Sequence, residues 1–139
     1  MVAQMLSLVT DVSFWGLHLH PVAERWQQGG GALLGDAAHP TLPFLAQGAN
    51  MALEDAYVLA EAAAHGSGDW LARYEAMRKP RVTRVIKAAE RNAWRYHLHQ
   101  GPIRSLAHLG LRLASRAAPG RMVGAFDWLY GHDVTAHQP

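Results

Sequence analysis

One stretch, Gly29 to Ala64, constrains the fold of this chain more than any other: GGGALLGDAAHPTLPFLAQGANMALEDAYVLAEAAA. The short apolar run Ala32-Leu33-Leu34 ends at Gly35-Asp36, a loop with Pro40 and Pro43 follows, and Gln47-Gly48-Ala49-Asn50 opens a long alanine-rich segment. The order predicts a strand, a loop and a helix N-terminus. Such an arrangement suits a polar ligand, because α/β sheets bind ligands beyond the carboxyl ends of their strands and helix N-termini offer unpaired N–H groups at a positive dipole end. Asp36 would stand at that edge as an acceptor for ligand hydroxyls. Gly48, without Cβ, would let a flat ring come close to the backbone.

The rest of the chain is expected to be largely helical. Leu53, Ala56, Leu59, Ala60 and Ala63 recur at helical spacing, which predicts a helix over 47–64 with glycine at its end. Glu54 and Asp55 fall early in that helix, where the dipole favours acids, and are read as structural. Asp69 is the expected N-cap of a second helix running to about Gln100, which Pro80 should kink or split. Beyond Pro80, Val82, Ile86, Ala89, Ala93 and Tyr96 share one face, and Arg84, Lys87, Arg91 and Arg95 form a solvated stripe on another. A third helix is expected over 103–117, with Leu106, Leu109, Leu113 and Ala117 as its buried side. Residues 122–130 should form a short aromatic segment that packs back, and 132–139 a loosely ordered tail.

At the other end, residues 3–10 read as helix and 12–20 as strand, since Val12, Phe14, Leu17 and Leu19 partly alternate before Pro21. His18 and His20 would share a strand face, but no third ligand is near, so no metal site is assigned. His97 and His99, two apart on a helix, point to different faces. Gly30 and Gly31 should weaken the strand expected over 31–35 by about 1 kcal/mol, or else admit a close neighbour.

Gly35-Asp36-Ala37-Ala38-His39-Pro40, Pro43, Ala46-Gln47-Gly48-Ala49-Asn50 and Glu54-Asp55-Ala56 together resemble the second FAD-binding motif of the single-component flavin-dependent aromatic hydroxylases, in particular the salicylate hydroxylase-like branch. Pro21 and Trp26 upstream, and Tyr74-Glu75, Arg78, Arg81 and Asp127-Trp128-Leu129-Tyr130 downstream, extend the resemblance over nearly the whole chain. It implies an α/β class, the C-terminal part of a Rossmann-like FAD-binding fold, with this chain mostly α and holding one or two strands. Residues 1–28 would then end a substrate-domain segment and connect it onward, 29–68 would be the strand-loop-helix of the FAD-binding domain, and 69–139 a C-terminal helical region.

In the resembled family FAD is reduced by NADH or NADPH, and one oxygen of O₂ passes to an aromatic substrate. The resemblance implies that Gly35 and Asp36 face the ribityl chain and that Pro43 lies with its backbone beside the flavin. Leu45, Ala46, Gln47, Gly48, Ala49, Asn50 and Met51 would cradle the pyrimidine edge. No side chain is assigned a catalytic role. A complete family member also carries a G-x-G-x-x-G turn, which this sequence lacks, so the expectation is the C-terminal part of such an enzyme or a truncated relative, incomplete for catalysis by itself.

Composition bounds the alternatives. With no cysteine, the chain can form neither disulfides nor thiolate metal sites, in keeping with a cytoplasmic setting. No apolar run approaches the ~18 residues needed to span a bilayer, so no membrane association is expected. Twelve of the thirteen Lys and Arg lie between Arg73 and Arg121 against only Glu75 and Glu90, a net +10 in that span. A basic nucleic-acid-binding module would use that charge, but no helix-turn-helix, finger or RNP pattern supports it. A non-catalytic interaction or vestigial domain, self-associating through uncovered apolar surface, is the other alternative.

Overall fold

The computed structural model describes residues 2–66, 68–96 and 101–136, without the side chains of residues 3 and 94–96. Within them the chain is mostly helical with two short strands: helix α1 (Val2–Ser7), strands β1 (Gln27–Gln28) and β2 (Gly31–Ala32), then helices α2 (Gly48–Ala64), α3 (Trp70–Tyr96), α4 (Pro102–Ala117), α5 (Pro119–Gly124) and α6 (Asp127–Tyr130). Short 3-10 turns lie at Gly35–Ala37, Pro43–Leu45 and Val134–Ala136.

The core forms where α2 and α3 pack together. Met51, Val58 and Ala62 of α2 recur at helical spacing and meet Tyr74, Val82, Val85, Ile86 and Ala89 of α3, all buried. Each large aliphatic side chain removed from water there contributes about 1.5–3 kcal/mol. Trp26, fully buried, closes one end, its ring centroid 5.3 Å from His39 and 5.9 Å from Tyr74. Leu129 of α6 closes the other side, so the aromatic segment does pack back. Asp69 caps α3 as expected, accepting from Ala72 N–H at 3.1 Å.

Pro80 does not split α3. It is exposed, as is Ala76, the residue whose carbonyl loses its helical donor, so that carbonyl can be solvated. The expected end near Gln100 and the His97/His99 pair lie outside the described residues.

Of the two glycines expected to weaken the strand, Gly31 is a strand residue and Gly30 lies with Gly29 in a turn. Gly29 and Gly30 have positive φ, 58° and 84°, and form the two-residue turn of a β1–β2 hairpin that pairs Gln27 with Ala32 and Gln28 with Gly31. Such turns require left-handed conformations that glycine reaches without strain. No neighbour crowds either glycine. The strand itself stops at Ala32 rather than reaching residue 35.

Two further expectations are corrected. Residues 9–23 contain no strand, and Val12, Phe14, Leu17 and Leu19 are exposed, Phe14 by 97%. A strand needs a neighbour to take its backbone hydrogen bonds, and none pairs with this segment among the described residues. Likewise α4 forms, but its intended buried side, Leu106, Leu109, Leu113 and Ala117, is exposed. The helical period is present there without a surface to bury it.

Candidate functional site

The turn at Gly35 is built by a glycine requirement and a buried carboxylate. Gly35 has φ +56°, and a methyl added there would sit 3.2 Å from the Ala52 Cβ of α2. The Gly35-Asp36 corner therefore lies against the first turns of α2. The Gly35 carbonyl accepts from Ala38 N–H and His39 N–H, each at 2.9 Å, and closes the turn.

Underneath lies a cluster of charges. Asp55, fully buried, accepts from Gly35 N–H at 3.0 Å and pairs with His39 Nε2 at 2.5 Å, both on Oδ2, while Oδ1 accepts from Arg78 Nε at 2.8 Å. Glu54 accepts from Arg78 Nη2 at 2.7 Å and, in a two-point contact, from Arg81 Nε at 2.7 Å and Nη2 at 2.8 Å. Arg78 also donates to the Met51 carbonyl, and Arg81 to those of Trp128 and Leu129. Every cation and anion of this group is thus paired, the condition under which buried charge is tolerated.

Burial alone would raise the Glu54 carboxyl, but Arg81 and Arg78 outweigh it and hold the group below the ordinary carboxylate range. For Asp55 burial likewise acts upward and is outweighed by His39, Arg78 and the Gly35 amide, so its carboxyl is also lowered. Burial first, and then the Asp55 charge, push the neighbouring Tyr74 phenol above its usual value. That hydroxyl donates to the Leu33 carbonyl at 2.9 Å and holds the end of the hairpin segment to α3.

The expected ligand-facing residues divide in two. Gly35, Leu45, Gln47 and Met51 are buried, and Leu45 and Met51 belong to the core, so only their backbone could face a ligand. Asp36, Pro43, Ala46, Ala49 and Asn50 are exposed, and Gly48 is half-buried. The first intrahelical bond of α2 runs from Met51 N–H to the Gln47 carbonyl at 2.8 Å, and no side chain caps the helix. The amides of Gly48, Ala49 and Asn50 are therefore the free donors of this helix start. Ala46, at φ 51°, turns the chain left-handed just before it.

Asp36 borders a concavity of about 500 Å³ together with His20, Pro21, Ala23 and Pro40. The Gly48–Asn50 amides do not line that concavity. The Cβ side of Gly48 meets the Thr41 methyl at 3.5 Å, an ordinary contact with the proline loop. Among the described residues no group of three or more His, Cys, Asp or Glu could hold a metal ion. Likewise, no helix there is long and apolar enough to cross a membrane.

Sequence reasoning missed the buried cluster. Glu54-Asp55 was explained by the helix dipole, whereas their charges are met by Arg78 and Arg81 of α3 and, for Asp55, by His39 of the loop. Two acids adjacent on one helix and two arginines three apart on the next were the available signal. The basic stripe on α3 is exposed at Arg84, Lys87 and Arg91, with the Arg84 guanidinium 4.0 Å over the Trp128 ring.

Residues 3–89 match the FAD binding domain family. The chain is 36% identical over 136 residues to a 3-amino-4-hydroxybenzoate 2-monooxygenase, PtnB3, of Streptomyces platensis, covering 96% of this chain and 33% of that protein. It is 34% identical over 133 residues to a 3-hydroxybenzoate 6-hydroxylase of Polaromonas naphthalenivorans, covering 94% of this chain and 32% of the relative. To the FAD-dependent monooxygenase OpS4 of Beauveria bassiana it is 32% identical over 148 residues, covering 98% and 35% respectively. The chain thus spans about a third of the length of the curated relatives it matches.

Proposed function

This chain belongs to the FAD binding domain family, and from that premise we propose that it forms the flavin-facing part of a monooxygenase that hydroxylates aromatic compounds, with NADH or NADPH as reductant and O₂ as co-substrate. The observation that carries the reading is the packing of the Gly35-Asp36 corner on the first turns of α2, close to a helix start with free amides. Bound FAD would supply the redox and oxygen chemistry. The chain's own residues would bind and orient it.

Asp36, exposed within a hydrogen-bonded turn, is suited to accept from the ribityl hydroxyls. The Gly48, Ala49 and Asn50 amides are suited to an acceptor-rich, negatively polarised ring edge, where each dipole interaction is worth about 0.3–1 kcal/mol when exposed. Pro43 would present its backbone beside the ring, while Leu45, Gln47 and Met51 would support the cradle from beneath. The Rossmann-like setting and the partition at residues 28 and 68 belong to the same proposal. Exposed apolar side chains such as Phe14 and Leu106 favour contact with a further apolar surface, in the same protein or in a second copy.

The test is a flavin titration of the protein followed by absorbance and fluorescence. FAD should bind, and Asp36→Ala should weaken it about tenfold, the scale of a hydrogen bond to a charged group. Thermal stability should not change, because Asp36 is exposed. An absence of flavin binding, or an Asp36→Ala variant that binds like the wild type, would overturn the assignment.

A further inference from the structure

Asp55 and His39 lie below the surface that the proposed function uses, yet their geometry determines where that surface stands. One carboxylate oxygen, Asp55 Oδ2, holds both ends of a five-residue turn, through Gly35 N–H at 3.0 Å and His39 Nε2 at 2.5 Å. Between those ends the turn exposes Asp36. Arg78 fixes the carboxylate in turn, donating from Nε to Oδ1 while its Nη2 engages Glu54. The His39 ring is buried against Trp26, and among the described residues its Nδ1 has no hydrogen-bond partner, so the Nε2 contact is the ring's one polar anchor there.

We propose that Asp55 and His39 are positioning residues for the cofactor loop: by clasping both ends of the 35–39 turn on a single buried oxygen, they set the place of the Asp36 carboxylate without touching the ligand. The inference rests on the FAD reading above. It goes beyond it in assigning ligand affinity to two buried groups on the far side of the turn. A free loop would sample many placements of Asp36, and binding would have to select among them, whereas a clasped turn presents one.

Two amide substitutions separate position from mere packing. In His39→Gln the side-chain N–H falls near the place of Nε2 and can still reach Asp55; in His39→Asn it falls near Nδ1 and cannot. Flavin titration of the protein should give an FAD affinity for His39→Gln within about threefold of wild type and a loss of about tenfold or more for His39→Asn, measured where melting curves show both fully folded. Amide exchange at Gly35 should quicken in His39→Asn alone. In the wild type, which needs no substitution, FAD should shift the His39 ring-nitrogen resonances.

Equal FAD affinity in a folded His39→Asn protein, equal weakening in both variants, or His39 resonances indifferent to FAD would each overturn the inference while leaving the flavin reading in place. A wild-type protein that takes up no FAD would overturn both.

Discussion

The α2–α3 interface and helix α4 carry apolar residues at the same helical spacing, and only the first has buried them. In α2 and α3 the apolar stripes face each other, and between them lie two carboxylates and two guanidiniums that bond with defined geometry. In α4 the stripe faces solvent, with Leu106 exposed by 71%, and the charges along it are all basic. Periodicity therefore states what a helix can bury. Complementary groups on a second element decide whether it does.

The largest effect expected from this contrast is at Asp55. Replacing it by alanine leaves Arg78 without its carboxylate and the Gly35 amide and His39 without an acceptor, in a place water does not reach. Breaking a buried pair from one side costs about 3–5 kcal/mol. Urea unfolding of Asp55→Ala should show a loss of that order. A loss below about 1 kcal/mol would mean that the cluster is not a tie between the two helices.

How much of this could be read in the sequence differs from element to element. Helix α2 was legible because its alanines and its terminating glycines agree, although the stripe read there is largely exposed, with Leu53 at 70%, while Met51, Val58 and Ala62 form the buried face. The Asp69 cap was legible because its side chain bonds within its own turn. The mostly helical character was legible for the same local reasons, whereas the two short strands form a hairpin at 27–32 and not the strands expected over 12–20 and 31–35. The role of His39 was not, because a histidine in a proline-rich loop has no periodicity to show which buried group it meets. Nor was the hairpin, since Gly30-Gly31 was weighed as a loss to a strand, whereas Gly29-Gly30 is the turn that creates one. The expected strand over 12–20 failed for the opposite reason: its alternation is real, but a strand depends on a partner that the segment itself does not contain.

A pH titration sharpens the comparison at intermediate magnitude. Both Glu54 and Asp55 have carboxyls lowered in the folded protein, each through arginine, and Asp55 also through His39 and the Gly35 amide, against the opposing effect of burial. Below the ordinary carboxylate values of about 4 the unfolded chain takes up protons that the folded one resists, so stability rises with pH there. The contribution is complete above that range and is lost as pH falls through the lowered folded values. Unfolding free energy should accordingly decline from about pH 5 downward, and Glu54→Gln should flatten the decline. An unchanged acid limb in that variant would remove Glu54 from the account.

The smallest effect should come from α4. Leu106→Ser removes an apolar side chain that the helix never buried, so the change in unfolding free energy should stay within about 0.5 kcal/mol, as for surface substitutions elsewhere. Leu113→Ser, two helical turns further along the same stripe, should behave alike, and the two effects should add because neither residue packs into the core. Denaturant unfolding at low protein concentration measures this in the monomer, and sedimentation at higher concentration reports whether the stripe serves a second copy. A loss above about 2 kcal/mol at low concentration would place α4 against the core, and the distinction between the buried and the unburied stripe would disappear.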